Sequence, residues 1–194
     1  SPGNPFGYMG LARIFAETDE DHAWQELTAA MGITLDRRDD IADLELAWLF
    51  MKAGETFMDL GRTLDAARYL DMGLSICRKL GLDTFQGKPL SEFKHLVEKL
   101  RPERIVSFRF LEPEEGSKLT EDTVFLRVDI YMEDGIHNLD VVNLSTGERI
   151  LHQSLNGPLS FRCEASVPLR VGWNAISVSA DRRAMTIFVK RTAP

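Results

Sequence analysis

The chain carries the stretch LELAWLFMKAGETFMDLG at residues 44–61. Apolar residues recur there at helical spacing on two sides of one predicted helix. One side combines small and aromatic residues. The other holds Leu44, Trp48, Met51 and Met58, with Lys52 beside it on the polar side. Two apolar sides are typical of a helix buried between neighbours, and they are also compatible with a helix that keeps one side for a partner.

Apolar spacing and helix-end signals predict five helices upstream of Pro102. Their predicted ranges are 8–17, 19–32, 36–61, 63–81 and 88–101. Thr63 is a candidate N-cap, and Gly32, Gly61 and Gly81 are candidate ends. The short turns between these segments predict antiparallel neighbours.

Two of these helices show the alternation of small and large residues that is typical of a tetratricopeptide-type (TPR) hairpin. The residues are Phe50, Ala53, Gly54, Phe57, Gly61, Ala66, Leu70 and Gly73. Small residues let two helix backbones approach closely, and aromatic residues fill the remaining space. One copy of the pattern is visible. The sequence therefore predicts a TPR-like hairpin within a helical domain of residues 1–102, not a repeat array.

The apolar period changes from about 3.6 to 2 after Pro102, which indicates strands. Seven short strands are predicted, at 104–113, 122–133, 139–144, 148–155, 159–168, 174–180 and 184–191. Turn signals separate them at 133–135, 145–148, 156–158 and 171–172. This spacing predicts an immunoglobulin-like β-sandwich over residues 103–194, without the Cys–Trp–Cys signature of antibody domains. The predicted fold is therefore α+β, with a helical domain followed by an all-β domain.

The net charge of −7 is unevenly distributed along the 194 residues. Residues 1–50 hold ten Asp or Glu residues and three Arg residues. This acidic surplus argues against nucleic-acid binding and is compatible with a basic partner. No apolar run approaches the roughly 18 residues of a membrane-spanning helix. Cys77 and Cys163 fall in segments predicted to face a core, as reduced thiols of a cytoplasmic protein.

Motifs for catalysis or cofactor binding are missing from the sequence. It has no phosphate-binding loop, dinucleotide fingerprint, zinc-protease motif or nucleophile elbow. The four histidines lack ligand spacing and are interpreted as surface or edge residues: His22, His95, His137 and His152. We therefore expect no enzymatic activity, no cofactor and no metal. The sequence therefore favours a function in binding a partner protein. The candidate docking residues are Leu44, Trp48, Phe50 and Met58.

The segment AWLFMKAGETFMDLG, followed by a helical hairpin and an immunoglobulin-like domain, resembles the C-terminal part of a CRISPR-associated protease substrate. The family is the protein substrate of the type III-E system (Craspase). There an RNA-guided effector carries a caspase-like protease with its own TPR region. Target-RNA binding activates the protease, which cuts the substrate once. The resemblance places the cut between Met51 and Lys52.

The resemblance also implies a regulatory role and further partners. The protease with its RNA-guided effector would be the direct partner. A sigma factor and an accessory protein would be further partners, through a region upstream of this chain. Two other interpretations stay open. One is a non-catalytic adaptor, and the other is a carbohydrate-binding β-sandwich, for which Phe125 and Tyr131 are the few solvent-side aromatic residues.

Overall fold

The computed structural model describes residues 3–100, 106–181 and 183–193. It is α+β, as predicted, with five helices and a mixed β-sheet in the described residues. Contacts divide the chain into two compact units, Ser1–Pro102 and Glu103–Pro194. The predicted domain boundary at residues 102 and 103 and the start of the first predicted strand lie outside the described residues.

The five predicted helices are confirmed, with shifted ends. They are α1 (Pro5–Ala16), α2 (Glu20–Asp36), α3 (Asp43–Asp59), α4 (Thr63–Lys79) and α5 (Leu90–Leu100). Gly61 and Gly81 follow helix ends with φ of 70° and 68°, as expected for left-handed C-terminal caps. Gly32 does not end α2, because Met31 and Thr34 on either side of it are buried and packing continues the helix. Thr63 is the first residue of α4 and not its cap.

A small hairpin between α4 and α5 was not predicted. Strands β1 (Thr84–Phe85) and β2 (Lys88–Pro89) pair antiparallel. The two residues between them, Gln86 and Gly87, have φ of 49° and 78°. Two consecutive positive φ values are characteristic of a tight hairpin turn. Gln86 is an unusual residue for the left-handed region, so the sequence signal for this turn is weak.

Aromatic rings fill the core around α3 and α4. Phe57 stacks on Tyr69 with ring centroids 5.1 Å apart, and Trp24 meets Phe57 edge-on at 5.8 Å. Phe50 lies 6.1 Å from the same Tyr69 ring. Burial raises the pKa of the Tyr69 hydroxyl to about 12. These contacts hold α2, α3 and α4 together through one aromatic cluster.

Two glycines set the distance between α3 and α4. A Cβ added at Gly73 would lie 2.6 Å from Cγ of Met51 and 3.1 Å from the carbonyl oxygen of Ala47. A Cβ added at Gly54 would lie 2.6 Å from Cγ of Leu70 and 3.0 Å from its backbone nitrogen. These separations are shorter than packed carbon atoms tolerate, so the two helices approach closely because both positions lack a side chain.

The described residues of the second unit form one six-stranded sheet. Its strands are β3 (Val106–Glu112), β4 (Lys118–Leu119), β5 (Thr123–Asn143), β6 (Glu148–Pro168), β7 (Gly172–Ala180) and β8 (Arg183–Arg191). The order is β3-β5-β7-β8-β4, and β6 pairs with β5. Strand β4 runs parallel to β8, whereas the other pairs are antiparallel.

The prediction of turns at 133–135 and 156–158 is wrong. Both segments lie inside the 21-residue strands β5 and β6, and Gly135 pairs with Gly157. The register shifts between Met132 and Gly135, so the extra residues form a bulge and not a chain reversal. Turn-type residues on both strands coincide at this point because a bulge requires the same conformational freedom as a turn.

Alternating burial along β5 is confirmed. Val124, Leu126, Val128 and Ile130 are buried, whereas Phe125 and Tyr131 are exposed.

Cys163 on β6 and Cys77 on α4 are both buried and free, as predicted. Burial raises the pKa of both thiols, which keeps them protonated and poorly reactive at neutral pH.

The close approach of α3 and α4 leads to a stability prediction. Gly73→Ala forces a methyl group against Met51, and overpacking of this kind typically costs about 1–3 kcal/mol of unfolding free energy. The matched control is Gly10→Ala in α1, where an added Cβ meets nothing within 4 Å. That change is expected to stabilise the helix by up to about 1 kcal/mol. Urea unfolding of both variants tests this, and an equal effect at both positions would contradict it.

Candidate functional site

Helix α3 begins with charge and without a side-chain cap. Asp43 and Glu45 lie in its first turn, where carboxylates interact favourably with the helix dipole. Ala42 precedes them and offers no side-chain hydrogen bond to the free amides. A missing cap costs about 1 kcal/mol relative to Ser or Asp at that position. Residues 42–45 are exposed, so the first turn of α3 relies on these carboxylates, and burial begins at Leu46.

Met51 lies in the middle of α3 and is fully buried. Its neighbours belong to an apolar cluster formed by α3, α4, α5 and β1. The buried residues of this cluster are Ala47, Met51, Ala67, Leu70, Leu74, Cys77, Phe85, Leu90, Phe93 and Val97. Within a regular helix the Met51 carbonyl accepts the hydrogen bond of the Glu55 amide. The Met51–Lys52 bond is thus inside regular, buried helix.

Lys52 is 7% exposed and held by an ion pair. Its ammonium Nζ donates to Oε2 of Glu55 at 2.7 Å, and the Arg13 guanidinium lies 3.6 Å from the same oxygen. The hydroxyl of Thr56 donates to the Lys52 carbonyl at 2.9 Å. Both the side chain and the carbonyl of Lys52 are therefore held by neighbours on α3, and Arg13 of α1 shares the Glu55 carboxylate.

A polar cavity of about 260 Å³ opens beside Lys52. Arg13, Lys52, Glu55, Met58, Asp59, Gln86, Lys88 and Phe93 line it. Burial raises the pKa of the Asp59 carboxyl, and the nearby Arg13 charge opposes that effect. The cavity therefore has three cations and two carboxylates around one half-buried methionine, Met58.

An apolar groove lies near the start of α3. It has a volume of about 470 Å³, and its walls come from α1, α3 and the segment around β1. The lining residues are Phe6, Leu44, Glu45, Trp48, Leu82, Thr84, Phe85 and Gln86. The rings of Phe6 and Trp48 lie 5.3 Å apart, so one wall is aromatic. We call this feature the α3 groove.

The four docking candidates occupy different environments. Leu44 is 55% exposed and Trp48 is half-buried, and both line the α3 groove. Met58 lines the cavity beside Lys52. Phe50 is fully buried in the aromatic cluster, so it has no surface for a partner while α3 is folded. The structure therefore brings Leu44 and Trp48 together and separates them from Phe50 and Met58.

Sequence reasoning missed a buried histidine in the second unit. The prediction that His137 is a surface or edge residue is wrong, because it is 5% exposed. Its Nδ1 lies 2.8 Å from Oδ2 of Asp181, and its Nε2 lies 3.0 Å from the Glu133 carbonyl oxygen. Two acceptors on one ring favour the doubly protonated form. The hydrogen bonds to Asp181 and to Glu133 accordingly raise the pKa of His137.

Neither a metal cluster nor a membrane span is found in the described residues. No group of three potential ligands among His, Cys, Asp and Glu comes together there. None of the described helices has the length and apolar character needed to cross a bilayer.

Comparison with known proteins does not identify a family. No protein-family model matches the sequence, and no curated protein matches it. One solved structure to which the chain is similar is an FMN-binding beta-glucuronidase from Facaelibacterium prausnitzii L2-6, with 14% sequence identity and a TM-score of 0.29. The match covers 56% of this chain and 15% of the glucuronidase chain. At that TM-score the similarity carries no argument about fold or function.

The two acceptors around His137 lead to a prediction of pH dependence. Because the folded-state pKa of His137 is raised, its stabilising contribution is fully present below the unfolded value of about 6.5 and disappears as pH rises through the folded value. His137→Gln removes this titration, so it should cost about 1 kcal/mol of unfolding free energy near pH 5.5. The difference should shrink by pH 9. Urea unfolding at both pH values measures it, and a difference that does not depend on pH would contradict the charged-ring assignment.

Proposed function

We propose that this chain is a non-enzymatic substrate that an RNA-activated, CRISPR-associated caspase-like protease cleaves once in the cytoplasm. The protease hydrolyses the Met51–Lys52 peptide bond. Water adds across the C–N bond, leaving a carboxylate on Met51 and an amino group on Lys52. Cleavage would regulate a downstream defence or transcription response. The observation that carries the proposal is the resemblance of AWLFMKAGETFMDLG, at 47–61, to the substrate family.

The position of the bond makes opening of α3 a required step. Proteases bind their substrates in extended form, whereas Met51 and Lys52 lie in buried helix. The apparent rate of cleavage is then the rate for the open form multiplied by its population. Each 1.4 kcal/mol of opening free energy lowers that population about tenfold. The α3–α4 contact at Gly73 would therefore set how fast the intact protein is cut.

The proposal also includes a domain architecture. We propose a helical domain of residues 1–102 with a TPR-like α3–α4 hairpin, followed by an immunoglobulin-like sandwich over residues 103–194. The close approach at Gly54 and Gly73 supports the hairpin. Strand β5 supports the sandwich because it pairs with β3 near one end and with β7 near the other, as strands at the edge of two layers do.

A second candidate function, a non-catalytic adaptor, is favoured by one observation. The α3 groove exposes Leu44 and part of Trp48 to solvent. Clefts with an aromatic wall, such as the one formed by Phe6 and Trp48, favour the binding of an apolar anchor side chain. An adaptor binds its partner through the groove whether or not the chain is cut. The two functions therefore differ in their response to the activated protease.

Cleavage at a single bond is the first test. The intact chain is incubated with the RNA-activated protease complex, and the new N-terminus is sequenced. A single fragment that begins at Lys52 supports the proposal. The control is the same complex without target RNA, which should leave the chain intact. No cleavage, or a first cut elsewhere, would reject the substrate function and favour the adaptor.

Two destabilising variants with opposite expected effects test the opening step. Gly73→Ala loosens the α3–α4 contact, so we expect cleavage about tenfold faster, in line with its loss of stability. Met51→Asp also destabilises α3, because it places a carboxylate in an apolar cluster. We nevertheless expect it to be cut more slowly, since an apolar protease pocket binds a carboxylate poorly. Initial rates of fragment formation distinguish the variants. Faster cutting of both would show that opening alone decides the rate.

A further inference from the structure

The α3 groove adjoins a second cavity, because the two spaces share lining residues. That second cavity, of about 330 Å³, is lined by Gly3, Asn4, Pro5, Phe6, Arg37, Asp40, Ile41 and Glu45. Phe6 and Glu45 line both spaces. The apolar residues Leu44 and Trp48 lie in one space, and Ile41 lies in the other. Together they form one surface, with the apolar α3 groove on one side of Glu45 and a mixed polar and apolar cavity that contains Ile41 on the other.

The charges on this surface are mainly negative. Glu45 is exposed, and in the described part of the chain no ion pair holds it. Asp40 lines the second cavity, and Asp43 is exposed in the first turn of α3. Among the described residues that line the two cavities, Arg37 is the cation, and its guanidinium donates to the Gly3 carbonyl at 3.2 Å. A ligand that crosses Glu45 therefore meets a carboxylate that no described cation neutralises.

We propose that this surface binds a basic, apolar peptide segment of a partner protein. One large apolar side chain of the segment fills the α3 groove against Trp48, and a second lies against Ile41. A Lys or Arg side chain between them pairs with Glu45. The cation of the segment lies between its two apolar side chains because Glu45 lies between the two cavities. The proposal does not rest on cleavage at Met51–Lys52, since a chain that resists the protease keeps the same surface.

Charge complementarity selects this occupant over an acidic or neutral one. An acidic peptide would place like charges beside Glu45 and Asp40, which costs affinity. A purely apolar segment would leave the Glu45 carboxylate partly desolvated and without a partner. A basic segment neutralises that carboxylate while burying Leu44. The acidic surplus of residues 1–50 would also speed the encounter with a basic partner.

The test uses the full chain and a displayed library of random peptides. Peptides retained by the native chain are sequenced, and we expect two large apolar residues flanking Lys or Arg. Glu45→Lys is expected to reverse the charge preference of the retained peptides from basic to acidic. Leu44→Ser removes an exposed contact and should weaken binding of a retained peptide about tenfold. The matched control is Ile14→Ser, at a 64% exposed position of α1 that lines neither cavity, which should bind normally.

Several outcomes would overturn the proposal. These are no enrichment above the Leu44→Ser chain, retained peptides that are neutral or acidic, and equal loss of binding in Ile14→Ser. A fourth is dimerisation of the native chain that Leu44→Ser abolishes, because a second copy would then occupy the groove. Each result is independent of the cleavage assay, so failure of one proposal leaves the other to be judged separately.

Discussion

The close approach of α3 and α4 at two glycines is the constraint on which the helical unit depends. Gly73 leaves room for the side chain of Met51, and Gly54 leaves room for Leu70. With the backbones this near, Met51 enters the apolar cluster and Phe57 stacks on Tyr69. A side chain at either glycine would separate the helices, and both contacts would weaken together.

Helix α3 has a buried centre, which packs against α4, and an exposed start, and the two parts have different roles. Around Met51 the helix is buried, so its backbone is available to another protein after local opening. Near its start the same helix presents Leu44 and Trp48 in an open groove. A surface that binds without unfolding thus lies within two turns of a bond that must unfold to react. The two proposals use these two parts of one helix separately.

The sequence predicted the elements better than their connections. Helical spacing identified all five helices, and alternation identified the buried face of β5. The prediction of turns failed at 133–135 and 156–158, because turns and bulges use the same residue types. Pairing across the sheet decides which of the two forms. His137 was missed because its acceptors come from Asp181, far along the chain, and from an irregular carbonyl at Glu133. The α3 groove needed Phe6 and Phe85 beside Trp48, which no local pattern contains.

Hydrogen exchange at the centre of α3 tests the central claim most directly. The amides of Lys52 and Glu55 should exchange slowly in the intact chain, with protection comparable to that of Leu70 and Gly73 in α4, since the two helices open together. Gly73→Ala should lower the protection of both helices by the same factor. Rapid exchange around Lys52 while α4 stays protected would contradict the account, because the Met51–Lys52 bond would then be open without loss of the α3–α4 contact.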